Sequence, residues 1–219
     1  MGEHDTWAKM TNFEVALRTP LIIRAPWMKA SIGQTTSVLA EAVDFYPTLA
    51  ALVGLPAPES AGQQINGTSL VPAFDDPEGS AGMKDAAYSQ FAKPSRARPF
   101  VFWPTPQRNA TEIMGYTVRV DEWRYTCWFG FDGVTQTPNR DEIIGRELCK
   151  CSPLSGPLPV RFRSLMQRSG LCTDDHRGDP GLLDWHGEHV NVVEEAENAA
   201  LVKELHAKVL GYIQLFPVA

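Results

Sequence analysis

The chain has 219 residues, 43% of them hydrophobic and 21% charged, with a formal net charge of −6. That is enough apolar content for one domain or two small ones, and the acidic balance excludes non-specific nucleic-acid binding, which needs a basic face. No apolar run approaches the roughly 20 residues of a membrane-spanning helix, and residues 1–17 hold no continuous apolar stretch of the kind a secretory leader carries.

The opening, GEHDTWAK, is polar and places Glu3, His4 and Lys9 close together. Adjacent residues on a helix seldom point to one centre, so Glu3 and His4 read as structural and not as metal ligands. Pro20–Pro26, PLIIRAP, reads as a short buried strand bounded by prolines. In VDFYPTLAALVGLPAP, Asp44 can cap a helix. Pro47 sits in the first turn, where a missing N–H does no harm. Phe45, Leu49 and Leu52 fall at helical spacing, and Gly54 and Pro56 end the element. Glu59–Met83 is rich in Gly, Pro, Ser and Asp and reads as a surface linker.

From Asp85 the texture changes. AAYSQF is a strand candidate. GYTVRVDEWRYTCWFGF alternates on both sides of a short turn near Asp121–Trp123, which predicts a hairpin with a half-buried face. Tyr116, Val118 and Val120 form one apolar set and Tyr125, Cys127 and Phe129 its partner. DEIIGREL supplies another strand. ENAALVKELHAKVLGYIQLF predicts an amphipathic helix, capped by Asn198, with Val202, Leu205, Val209 and Tyr212 as its stripe. Strands followed by one long helix suggest a small α+β layer.

Four cysteines do not make a disulfide framework at this length, and they read as unpaired thiols. Cys149-x-Cys151 is too tight for a zinc knuckle. His186, Glu188 and His189 lack a third ligand nearby and the i, i+4 placement of helical zinc sites, so they read as structural. Asn66 and Asn109 open N-x-[ST] sequons. Lys150–Thr173 is basic and rich in Pro and Ser, and it interrupts the surrounding pattern as an atypical insertion or a gene-model artefact. There is no internal repeat.

GEHDTWAKMTNFEVALRTPLIIRAP resembles the segment that follows the second metal-ligand pair in sulfatases: a G-E-H-x-x-W-x-K frame, an N-F-E element, then P-L-I. VDFYPTLAALVGLP resembles the family's V-D-x-x-P-T-L-x-x-L-x-G helix, and NGTSLVP the element after it. AYSQF, IMGYTVRVDEWRYTCWFGF and GREL resemble the strands of the smaller C-terminal sulfatase subdomain. GEHVNVVEEAENAALVKEL resembles its closing segment and terminal helix. Within the family, the M-G-Y and R-Y-T wording is similar to that of the iduronate 2-sulfatase subgroup. Only Lys150–Thr173 stands outside the resemblance.

The resemblance implies an α/β fold. Residues 1–58 would be the end of an alkaline phosphatase/sulfatase-like α/β domain and 59–84 a linker. Residues 85–219 would be a small α+β C-terminal subdomain, an antiparallel sheet packed on a terminal helix, with the insert at about 150–173. It implies a sulfuric ester hydrolase acting on sulfated sugars of glycosaminoglycan or polysaccharide type, in a secreted, lysosomal or periplasmic setting. The larger part of the α/β domain and most of the active site would lie upstream of residue 1, so the chain alone is expected to be inactive. The family's Ca2+ would be held by upstream ligands. Its formylglycine nucleophile arises within C-x-P-x-R, which is not present here. CSPLSG at Cys151 imitates the start of that motif but carries Ser155 in place of the arginine, and it follows the Lys9 element where the family's motif precedes it.

Two site residues are implied. Lys9 matches the family lysine that reaches the sulfate, a compact point charge on a long stem. Arg124 falls where the subdomain faces the substrate cleft. It can bind a uronic carboxylate as a bidentate pair, or pair with Asp121 or Glu122 across the turn. A rival reading is a non-catalytic sulfatase-derived module that binds an anionic glycan or a protein partner. Another is a phosphonate or phosphodiester hydrolase of the wider superfamily, against which the MGY…RYT wording speaks. No sequence feature sets the oligomeric state.

Overall fold

The computed structural model describes residues 11–56, 66–79, 83–93, 108–151 and 190–215. Among these, residues 11–19, 88–151 and 190–215 form one compact unit, and residues 20–56, 66–79 and 83–87 form a second.

The first unit is built on a four-stranded sheet in the order β1-β2-β3-β4. Its strands are β1 (Ala87–Lys93), β2 (Ile113–Val120), β3 (Trp123–Asp132) and β4 (Thr137–Lys150). β2 and β3 pair antiparallel from Val120↔Trp123 to Ile113↔Gly130, and β3 pairs antiparallel with β4. The sequence expectation of a hairpin holds, with Asp121 at positive φ (25°) in the two-residue turn. Asp tolerates that region better than a β-branched residue would. Arg119 Nη1 braces the turn by donating to the carbonyls of Val120, at 2.9 Å, and Asp121. The chain after Val190 runs along β4. Asn191 Nδ2 donates to the Arg146 carbonyl at 3.0 Å, and its Oδ1 accepts from the Leu148 N–H at 2.9 Å. The side chain thus occupies backbone groups that a bare edge would leave unpaired.

One face of this sheet carries Tyr116, Val118, Tyr125, Cys127, Phe129 and Leu148, all buried. Against β2 and β3 packs α4 (Ala199–Gln214). Its buried stripe is Val202, Leu205, Val209 and Ile213. Tyr212, expected in that stripe, instead stacks on Tyr88 with ring centroids 4.5 Å apart. Asn198 stands at the N-cap position without a side-chain cap bond. Its Nδ2 donates back to the Val192 carbonyl at 3.0 Å, fixing the turn that enters the helix. Burial pushes the Cys127 thiol up to about 11, so it stays protonated at neutral pH.

His206 of α4 shares a 3.0 Å hydrogen bond with the Tyr125 hydroxyl. Burial, and then the Arg146 charge, hold its pKa below the ordinary 6.5. The folded chain therefore binds fewer protons than the unfolded chain as pH falls through about 6.5, and stability falls with it until the folded pKa is passed. We expect the melting temperature to drop between pH 7 and pH 5. The His206→Gln variant should show a shallower slope over that window, and equal slopes would remove His206 as the cause.

The second unit has a small core of Ala25, Leu70 and Phe74, with Ile23, Met28, Leu52 and Met83 packed on it. Its polar centre is Asp44, which is fully buried. The carboxylate accepts from the Glu41 N–H at 2.7 Å and the Thr68 N–H at 2.8 Å, and pairs with Lys84 at 2.8 Å. Thr48 Oγ1 donates to the Asp44 carbonyl at 2.5 Å and accepts from the Leu70 N–H at 2.9 Å. Gly67 is required beside this hub, since a Cβ there would meet the Val43 carbonyl oxygen.

Four expectations change in this unit. The segment PLIIRAP forms no strand among the described residues, and Ile22 is 92% exposed. A strand needs a neighbour for its backbone groups, and no described strand pairs with this segment. The helix α2 (Phe45–Leu52) forms where its signals placed it, and Gly54 follows at φ +73°. It nevertheless buries Pro47, Thr48 and Ala50, while Phe45 and Leu49 face outward. Asp44 also acts differently from the helix cap it was read as, since no side-chain cap bond is made to α2. Within the stretch read as a linker, α3 (Pro72–Asp75) forms, and Leu70, Ala73 and Phe74 are buried. No helix among the described residues is long and apolar enough to cross a membrane.

Candidate functional site

The sheet face opposite α4 is polar and also buried. Along it lie Thr117, Arg119, Arg124, Thr126, Trp128 and Glu147. Period-2 alternation puts these side chains on one side, because Thr117 pairs with Thr126, Arg119 with Arg124, and Thr126 with Glu147 across the strands. Glu147, 2% exposed, is the hub. Its Oε1 accepts from Trp128 Nε1 at 2.8 Å, and its Oε2 from Arg124 Nη1 at 3.3 Å. Arg124 Nη1 also donates to Thr126 Oγ1 at 2.6 Å, and the Thr126 and Thr117 hydroxyls share a 2.7 Å bond. Lys93, the last residue of β1, places its ammonium 4.0 Å from the centre of a Trp128 ring. Burial lowers its pKa below the ordinary 10.5, with the Glu147 charge opposing. Charges are buried here because they are paired and hydrogen-bonded.

The segment 11–17 covers part of this face. Asn12, Phe13 and Glu14 lead into the short helix α1 (Glu14–Leu17), and all three are buried. Phe13 lies under the Arg124 guanidinium at 4.5 Å, and Glu14 Oε1 is 3.2 Å from Arg119 Nε.

The structure places Arg124 in this network. It is 1% exposed, and it meets Glu147, Thr126 and Phe13, with Nη2 3.4 Å from Cys149 Sγ. Its partner is Glu147 on the neighbouring strand. The partners read from the turn are corrected: Asp121 gives its carbonyl to Arg119, and Glu122 pairs with Lys150 at 3.3 Å. Glu147, Trp128 and Lys93 were not singled out from sequence. Their signal is the cross-strand pair of arginines, which is tolerable in a buried face only if each meets a carboxylate. Lys9, Glu3, His4, His186, Glu188, His189 and most of the 150–173 insert lie outside the described residues. Among the cysteines, the reading as unpaired thiols is corrected for Cys149, which is disulfide-bonded. The sequon residues Asn66 and Asn109 are both exposed.

A second feature is an open hollow lined by Glu112, Phe131, Asp132, Asn139 and Glu142. Three carboxylates repel a sulfated or uronic ligand, so this hollow does not suit an anionic sugar. Among the described residues no group of three His, Cys, Asp or Glu side chains is placed to hold a metal ion.

No family model matches the chain. The chain is 31% identical over 189 residues to iduronate 2-sulfatase of Mus musculus, a match covering 68% of this chain and 33% of that protein. It is 30% identical over 185 residues to iduronate 2-sulfatase of Homo sapiens, covering 68% and 34%. Arylsulfatase K of Bos taurus is 37% identical over 183 residues, covering 80% and 30%. The chain thus spans about a third of the length of the curated relatives it matches. Among solved structures, the phosphonate monoester hydrolase from Silicibacter pomeroyi superposes with a TM-score of 0.58 at 19% identity, covering 99% of this chain and 33% of that one. That likeness is one of fold, and it agrees with the α/β class expected of an alkaline phosphatase-like hydrolase. Sequence identity to two kinds of sulfatase, at 30% or more over two thirds or more of its length, places this chain in the sulfatase family.

Proposed function

We propose that this chain is part of a sulfuric ester hydrolase of iduronate 2-sulfatase type, acting on sulfated sugars. The observation that carries this reading is the 31% identity to an iduronate 2-sulfatase over 189 residues, together with the G-E-H-x-x-W-x-K frame around Lys9. In this reading Lys9 binds the sulfate, and the strand face around Arg124 and Glu147 supports the segment that carries it. The formylglycine and the Ca2+ of the family would be supplied by residues outside this sequence. When bound, such an ion would supply Lewis-acid polarisation of the ester. The lysine's own contribution is a fixed positive charge where negative charge grows.

The 219 residues alone should turn over neither an aryl sulfate nor a sulfated disaccharide with calcium present, because the sequence holds no C-x-P-x-R nucleophile motif. Joined to a catalytic portion that carries that motif, they should support turnover. Activity of the isolated chain that Lys9→Ala abolishes would overturn the proposal. Binding of sulfated oligosaccharide by the isolated chain, with no turnover in the joined form, would favour the non-catalytic glycan-binding module.

A further inference from the structure

The segment leading into α1 meets the polar sheet face through hydrogen bonds, an ion pair and the buried Phe13 ring. Asn12, Phe13 and Glu14 are only 4–5% exposed, although they flank a helix of four residues. Asn12 Nδ2 donates to the Gly115 carbonyl at 3.3 Å, and its Oδ1 accepts from Ser89 Oγ at 3.5 Å, so one side chain bridges β2 and β1. Phe13 packs on Cys149 and under Arg124. Arg119 and Arg124 stand directly opposite each other on β2 and β3. Like charges in that position destabilise a strand pair unless each is answered. Glu147 of β4 answers Arg124, and Glu14 of α1 answers Arg119. One of the two carboxylates that neutralise the arginine pair therefore comes from outside the sheet. Arg119 Nε and Nη2 are buried without a hydrogen bond, which leaves Glu14 as the charge facing that end of the guanidinium among the described residues.

We propose that Arg119 and Arg124 are positioning residues, which lock the segment 12–17 onto the sheet through Glu14 and Phe13 and so anchor the end from which the chain bearing Lys9 continues. Lys9 precedes Asn12 by three residues, which span at most about 10 Å when extended. A fixed Asn12 confines the Lys9 backbone to that radius, and a released α1 does not. The inference rests on the sulfate-binding reading of Lys9 for its purpose, while the lock itself can be tested without it.

The test is amide hydrogen exchange on the 219-residue chain, comparing wild type with the double variant Asn12→Ala/Glu14→Gln and with Arg124→Lys. The reporting amides are those of Ala16, Leu17 and Arg18, which bond to the Phe13 and Glu14 carbonyls. They should exchange at least tenfold faster in the double variant, and by a clearly larger factor than the amides of β2, β3 and α4. Arg124→Lys should also speed them, since an ammonium cannot stack on Phe13 and bond Glu147 as a planar fork does. Unchanged exchange at residues 16–18 in the double variant would overturn the lock. So would equal acceleration throughout the sheet, which marks general destabilisation and not a local lock. In the joined enzyme the double variant should lower kcat and add little to the loss from Lys9→Ala. A large Lys9 effect beside an inert lock variant would sink this inference and leave the sulfate reading standing. An inert Lys9→Ala would sink both.

Discussion

In an enzyme that joins this chain to the family's nucleophile, Lys9→Ala is expected to lower kcat by a factor of about a hundred or more and to change KM far less. Charge on the sulfate and leaving oxygens grows toward the transition state, and a fixed ammonium acts mainly on that growth. Loss of one such contact typically costs on the order of 3 kcal/mol. Lys9→Arg should restore only part of the rate, because a planar fork does not occupy the place of a point charge. Steady-state kinetics on one sulfated substrate decide the matter. A change in kcat below about threefold would make Lys9 a surface residue and the alignment of GEHDTWAK with a sulfate site mistaken.

The second large effect falls on stability. Glu147→Ala leaves the Arg124 guanidinium buried without its carboxylate and takes the acceptor from Trp128 Nε1. Breaking a buried pair from one side costs about 3–5 kcal/mol. For a domain of this size that is a fall in Tm of roughly 10–20 °C. Replacing both charges, as Arg124→Met/Glu147→Leu, should recover much of the loss, because no uncompensated charge then remains. Denaturant unfolding followed by near-ultraviolet circular dichroism measures both variants. A loss under about 1 kcal/mol for Glu147→Ala would show that water reaches and solvates Arg124.

Legibility in the sequence followed burial. Where apolar and polar residues alternate strictly, the apolar face reads directly: Tyr116, Val118, Tyr125 and Phe129 against α4, and Val202, Leu205 and Val209 facing them. The other sheet face carries Thr117, Arg119, Arg124 and Thr126, and the expectation of a half-buried hairpin does not mark it as buried. Alternation alone cannot separate a wet polar row from a dry, mutually satisfied one. Only the strand register shows that two arginines oppose each other and therefore need carboxylates from β4 and α1. The helix α2 was legible in its bounds and not in its orientation. Propensity and end signals place a helix, and tertiary contacts decide which side is covered. Leu70 and Phe74 were hidden by the turn-rich composition around them, which masks two apolar anchors in a short stretch. The family resemblance points to Lys9, which lies outside the described residues, whereas Glu147 and Glu14 emerge only from contacts.

The outward side of the second unit has a further consequence. Phe45, Tyr46, Leu49 and Val53 are all exposed, on and just beyond one short helix, with Val43 and Leu55 at its ends. A group of large apolar side chains of this kind is a surface that dyes such as ANS and alkyl resins recognise in a fully packed protein. Brightening of such a dye, ordinarily taken as a mark of a molten state, would here report native surface. Kosmotropic salts strengthen the same surface's tendency to leave water, so salting-out at modest sulfate concentration belongs to the folded chain.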